Sequence, residues 1–145
     1  VPPLALSAAH FATCAISIVA GTILFGITIS GASKNMRSYA ILLRCVTLAE
    51  ISTSIGAFMV FPRIVPLGME GVACIVSGPV AKLFTDDRIW FAFYVVELHG
   101  TVQYNVFMTV CFCYRYYVLK RDPPSEKNTL IFATATFLFT FSIFV

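Results

Sequence analysis

From Val1 to Ser33 the chain carries no Lys, Arg, Asp or Glu. A run of 33 uncharged residues cannot supply the wet face that an element of a water-soluble domain presents to solvent. Within it, His10 to Ser30 covers 21 residues. As a helix rising ~1.5 Å per residue, that is enough to cross a ~30 Å hydrocarbon core. Two further apolar blocks follow and a fourth begins at Leu130. Charged residues make up 12% of the chain, against about 25% in soluble domains. Four such blocks therefore lack the polar surface to cover them, and lipid is the expected solvent. The predicted fold class is all-α: a polytopic transmembrane helical bundle forming a single domain over 1–145.

The coarse reading places helices at about 8–31, 39–61, 88–119 and 128–145. Connection 32–38 is short, with Gly31 and Ser33 as breakers, and connection 120–127 is broken by Pro123 and Pro124. Connection 62–87 carries Pro62, Pro66, Gly68, Gly71, Gly78 and Pro79. Its apolar run Val72–Val76 is too short to span and is expected to pack over the helix ends. The chain opens on Val, and its last block, Leu130–Val145, has 16 residues where ~20 make a span. It is therefore read as a fragment of a longer protein, with helices 1–3 complete and helix 4 truncated. The opening run is too long, and lacks the basic flank, for a cleaved signal peptide.

Cys14, Cys45, Cys111 and Cys113 fall in apolar blocks, where cysteine packs as a small residue; Cys74 lies in the long connection. No CxxC or Cys/His spacing suggests a metal, and no nucleophile cluster suggests an enzyme. No cofactor and no nucleic-acid partner are expected.

The distribution of the +3 net charge says more than its sum. Lys34, Arg37, Arg44, Arg115, Lys120, Arg121 and Lys127 fall on one side of the predicted membrane, and Arg63, Lys82 and Arg88 on the other. Seven against three places connections 32–38 and 120–127 in the cytoplasm, connection 62–87 outside, and the N-terminus outside. Tyr39, Tyr114, Tyr116 and Tyr117 then mark the inner interface, Trp90 and Tyr94 the outer.

Polar groups inside the spans are the functional candidates. Arg44 is close enough to the inner end of helix 2 to snorkel. Glu50 lies ~16 Å deep, counting from Tyr39. There it is either a polar switch or a protonated carboxyl bonded to a neighbouring helix, with Ser54 one turn away. Helix 3 is the most polar. Glu97, Thr101, Asn105 and Thr109 form one stripe, and His99 and Gln103 lie opposite. Such a helix is expected at the centre of its bundle. Thr101, Asn105 and Thr109 are read as helix-to-helix hydrogen bonders. Glu97, His99 and Gln103 are candidates for a ligand pocket.

Helix 3 closes in Tyr114-Arg115-Tyr116, a pattern that resembles the aromatic-flanked Arg of seven-helix G-protein-coupled receptors. More narrowly, the chain resembles the nematode serpentine chemoreceptors of class delta (Srd). The likeness rests on Lys34-Asn35-Met36-Arg37-Ser38-Tyr39-Ala40-Ile41-Leu42-Leu43, Arg63-Ile64-Val65-Pro66-Leu67-Gly68, Ser77-Gly78-Pro79 and Tyr114-Arg115-Tyr116-Tyr117-Val118-Leu119. It implies a seven-helix receptor in the plasma membrane of sensory cells, with a small-molecule ligand outside and a heterotrimeric G protein inside. Tyr114, Arg115 and Tyr116 would couple to the G protein, Glu50 would hold the helix 2 acid position, and Glu97 would fall where amine receptors place a ligand counter-ion. Two features depart from the pattern. Tyr114 replaces the acid that commonly precedes the Arg. Trp90 and Val80 stand where a disulfide cysteine is found in rhodopsin-like and delta-class receptors respectively, so Cys74 is the remaining outer candidate. The alternative is a piece of a transporter or channel using Glu50, Glu97 and His99 in an ion path.

Overall fold

The computed structural model describes residues 4–31, 36–66, 72–76, 78–79, 83–84 and 86–142. Four helices account for most of them: α1 (Leu4–Ser30), α2 (Arg37–Val60), α3 (Asp87–Val118) and α4 (Glu126–Ser142). Strands β1 (Pro62–Pro66) and β2 (Val72–Val76) pair antiparallel in the long connection, with Ile64 opposite Cys74. The sequence reading gave this segment no secondary structure. Pairing satisfies backbone polar groups of two short segments, each too short to span alone.

Helix ends follow local chemistry. The Asp86 side chain accepts from the Arg88 N–H at 2.9 Å and so caps α3. At the C-terminus of α2, Phe61 adopts a left-handed φ of 42° and its N–H donates to Ala57 O. That conformation turns the chain sharply into β1. Gly78 N–H then donates to Val60 O at 2.9 Å. A Cβ at position 78 would lie 2.1 Å from Met59 O, so only glycine allows the connection to fold back onto the end of α2.

Polar side chains share the interior with apolar ones, and large apolar side chains cover much of the outside. Buried side chains include Thr28, Thr47, Ser54, Gln103, Thr129 and Thr140, while Ile16 and Phe139 are 68% and 67% exposed. Among the described residues, Ser7–Ser30 and Arg37–Val60 are long and apolar enough to cross a membrane. At 32 residues α3 is ~48 Å long, more than a straight span requires.

Among the four described helices, α2 rather than the expected α3 holds the centre. Helix α2 packs against α1, α3 and α4, whereas α3 packs chiefly on α2. Small residues let α2 and α3 close together. A Cβ at Gly56 would sit 2.7 Å from Glu97 Cβ and 2.8 Å from its Cα, and one at Gly100 would sit 3.0 Å from Thr53 N. Around the N-terminal half of α2, Leu42, Val46, Phe107, Cys111 and Ala133 form the buried apolar cluster joining α2, α3 and α4.

Candidate functional site

Helix α3 carries most of the candidate groups, and its periodicity sends them to separate seams. Glu97 faces α2 across the Gly56 gap. It lies within electrostatic reach of His10 on α1, and its Oε2 is buried without a hydrogen-bond partner. His10 Nε2 lies 3.0 Å from Ala57 O, and its ring packs on Phe61 with centroids 4.4 Å apart. The sequence reading missed His10, because nothing in a uniformly apolar first helix shows which way a lone His points.

His99 and Gln103 turn to the α4 side. They line a cavity of about 540 Å³ whose other walls include Cys45, Ser52, Thr134 and Phe137. Gln103 is 3% exposed. Its Nε2 donates to Phe137 O at 3.3 Å and to Thr140 Oγ1, and approaches His99 Nε2 at 3.3 Å. The carbonyl of Phe137 requires a donor, which fixes the amide orientation and leaves Gln103 Oε1 buried without a partner. Phe137 and Phe141 meet the His99 ring edge-on, with centroids 5.9 and 5.7 Å away. Glu97 is absent from this lining, so the three pocket candidates do not converge.

Glu50 lies on the α1–α2 seam. Ser17 Oγ donates to Glu50 Oε1 at 3.1 Å and accepts from Ser54 Oγ at 2.9 Å. The expected Ser54 partner is therefore reached through a serine of α1. Arg44 reaches across the same seam, donating from Nη2 to Thr28 O at 2.6 Å. It thus satisfies a carbonyl in the last turn of α1, where a cation also complements the helix dipole.

Among the described residues, Thr101, Asn105 and Thr109 make bonds within α3 rather than the expected helix-to-helix ones. All three are exposed and donate to the carbonyl four residues back, at 2.9, 2.8 and 3.0 Å. Thr109 also lines a cavity against α4, while the exposed Thr101 and Asn105 turn to their own backbone, as short polar side chains do where no partner is near.

At the C-terminal end of α3, Arg115 meets the start of α2. Arg115 Nε donates to Tyr39 Oη at 2.9 Å, Nη2 donates to the same oxygen, and the guanidinium lies 5.2 Å from the Tyr39 ring centroid. Tyr39 in turn stacks on Tyr114 at 5.8 Å. A tyrosine of a neighbouring helix thus engages the Arg where the preceding residue offers no acid. Lys120 Nζ donates to Tyr116 Oη and lies 4.5 Å from its ring centroid. Two contacts fix the connection that follows: Ser38 Oγ donates to Pro124 O at 2.8 Å, and Arg37 pairs with Glu126 at 3.6 Å.

The family model for the serpentine type 7TM GPCR chemoreceptor Srd matches residues 6–145. The chain belongs to this family. It is accordingly a multi-pass membrane protein of a receptor family rather than of an enzyme family. No curated protein and no solved structure matches the chain.

In this Srd chain the family-like segments lie at structural corners. Arg37, Ser38 and Tyr39 are the residues that reach Glu126, Pro124 and Arg115. Arg63 to Pro66 falls in β1, and Gly78 closes onto α2. Lys34, Asn35, Ser77, Val80 and Lys82 lie outside the described residues, as does the side chain of Cys74. Cys14, Cys45, Cys111 and Cys113 are free thiols.

Proposed function

We propose that this Srd chain contributes the first four helices of a seven-helix chemoreceptor that takes up a small ligand and signals to a heterotrimeric G protein. The carrying observation is that one helix bears both ends of such a device. His99 and Gln103 line the 540 Å³ cavity, and Arg115 stands at the far end of the same rod, held by Tyr39. From Gln103 to Arg115 is twelve residues, ~18 Å of continuous helix, so a shift imposed at the cavity is carried to the Arg without a hinge. A ligand favouring the packing in which Tyr39 releases Arg115 would raise the population competent for the G protein. The exposed Thr101 and Asn105 mark the face for the remaining helices of a seven-helix bundle.

In this reading the N-terminus is outside and the Arg115 end is in the cytoplasm of the sensory cell, following the seven-to-three charge asymmetry. The ion-path alternative gains no support. Glu50 is bonded towards α1, Glu97 packs on Gly56, and His99 lines the α4-side cavity.

The test is G-protein nucleotide exchange driven by the full-length receptor in lipid nanodiscs. Exchange above the empty-disc level that disappears in Arg115→Ala supports the proposal. Exchange unaffected by Arg115→Ala, or labelling of Lys120 by an impermeant amine reagent on intact cells, overturns it.

A further inference from the structure

A second cavity, of about 520 Å³, lies between α3 and α4 near their inner ends, away from His99 and Gln103. Thr109, Cys113 and Tyr117 form one wall, Asn128 and Phe132 the other, and Leu42 of α2 the floor. Thr109 to Tyr117 spans eight residues, so the slot runs ~12 Å along the helix. Its walls are almost wholly apolar, but its inner mouth is cationic. Arg121 lies over the ring of Tyr117, 5.9 Å from the centroid, and Lys127 immediately precedes Asn128. The positive end of the α4 dipole opens at the same level. Two acids are nearby. Glu126 is engaged by Arg37, which leaves Asp122 as the opposing charge. The contact of Ser38 with Pro124 braces this mouth against α2.

We propose that this groove is a binding site for an anionic membrane phospholipid. One acyl chain would lie along the apolar slot, and the phosphate would sit at the mouth against Arg121, Lys127 and the first turn of α4. An apolar slot with Arg121 and Lys127 beside its mouth suits a molecule that joins a hydrocarbon chain to a negative headgroup. A zwitterionic lipid fits the slot but offers the mouth no net charge. A free phosphate ester satisfies the mouth but leaves the slot unfilled. Bound lipid would bridge the end of α3 to the start of α4, stabilising the geometry of the segment proposed to face the G protein. The binding itself does not depend on that signalling role.

The experiment captures lipid on the purified full-length receptor in phosphatidylcholine nanodiscs doped with a photoreactive phosphatidylserine or with a phosphatidylcholine carrying the same chains. Crosslinked peptides are mapped by mass spectrometry. The expected result is crosslinking to the Thr109–Phe132 region favouring phosphatidylserine by about tenfold, given two cations near an anionic headgroup. The preference should disappear in Arg121→Gln/Lys127→Gln. Thr109→Phe, which fills the slot, should reduce crosslinking there while the unfolding midpoint is held, and excess glycerophosphate should not compete. Equal capture of the two lipids, an unchanged preference in the double variant, or displacement by glycerophosphate would each overturn the proposal. None of these readouts requires a ligand or a G protein, so the site can fail while the receptor reading stands, and the reverse.

Discussion

Replacing Gly56 by Ala tests the α2–α3 crossing on which the arrangement of the candidate groups depends. The new Cβ would meet Glu97 Cβ, Cα and N at 2.7, 2.8 and 2.9 Å, where ordinary contacts begin at 3.4 Å. Two of those three atoms are backbone, so no rotamer change relieves the clash and α3 must retreat by over half an ångström. Overpacking of this kind costs ~1–3 kcal/mol, and a rigid backbone neighbour places it near ~3. Exchanging Gly for Ala within a helix returns about 1 kcal/mol through lower backbone entropy. The net loss is about 2 kcal/mol, which lowers the unfolding midpoint by roughly 8 °C at ~4 °C per kcal/mol. The assay is thermal unfolding in detergent, followed by a thiol-reactive dye that reports exposure of the buried Cys14 and Cys111. Gly26 is the internal control: its new Cβ would meet nothing within 4 Å, so Gly26→Ala should leave the midpoint unchanged or raise it. Glu97→Ala should not rescue Gly56→Ala, because Cβ, Cα and N all remain. Equal midpoints for the Gly56 and Gly26 variants, or full rescue by Glu97→Ala, would refute the close crossing.

Three other outcomes follow from single contacts. Ser17→Ala removes the link between Glu50 and Ser54 and should cost ~1 kcal/mol, within the ~0.6–1.7 kcal/mol of polar contacts in membrane bundles. Ser52→Ala, which loses only a bond to Leu48 O of its own helix, should be silent in the same melt. Tyr39→Phe removes the oxygen that accepts from Arg115 but keeps the ring; at ~1.5 kcal/mol, the low end for a bond to a charged group because this contact is exposed, agonist-free nucleotide exchange should rise by about tenfold. Unchanged exchange would show that Tyr39 does not restrain Arg115. Arg37 and Glu126 are 55% and 54% exposed, so Glu126→Gln should shift stability by less than ~0.5 kcal/mol, whereas Ser38→Ala, at a buried position, should cost about 1 kcal/mol.

Charge-free length and the scarcity of polar residues determined the helical membrane bundle from sequence alone, since few other structures satisfy the backbone of such runs in lipid. Periodicity likewise placed Glu97 and His99 on opposite sides of α3, because 3.6 residues per turn is a local property. What no local property determines is which neighbour each side meets. The close α2–α3 crossing depends on Gly56 and Gly100, whose missing side chains count only when another backbone lies against them. The same holds for polar partners. Glu50 finds Ser17 thirty-three residues away, and Arg115 finds Tyr39 at a separation of seventy-six. Each partner is an ordinary serine or tyrosine until folding brings the helices together. The β hairpin was hidden for a related reason: two five-residue segments acquire structure only by exchanging hydrogen bonds with each other. Sequence thus decided the solvent and the helices, and tertiary packing decided the seams, because a seam is a property of two surfaces and only one of them is local.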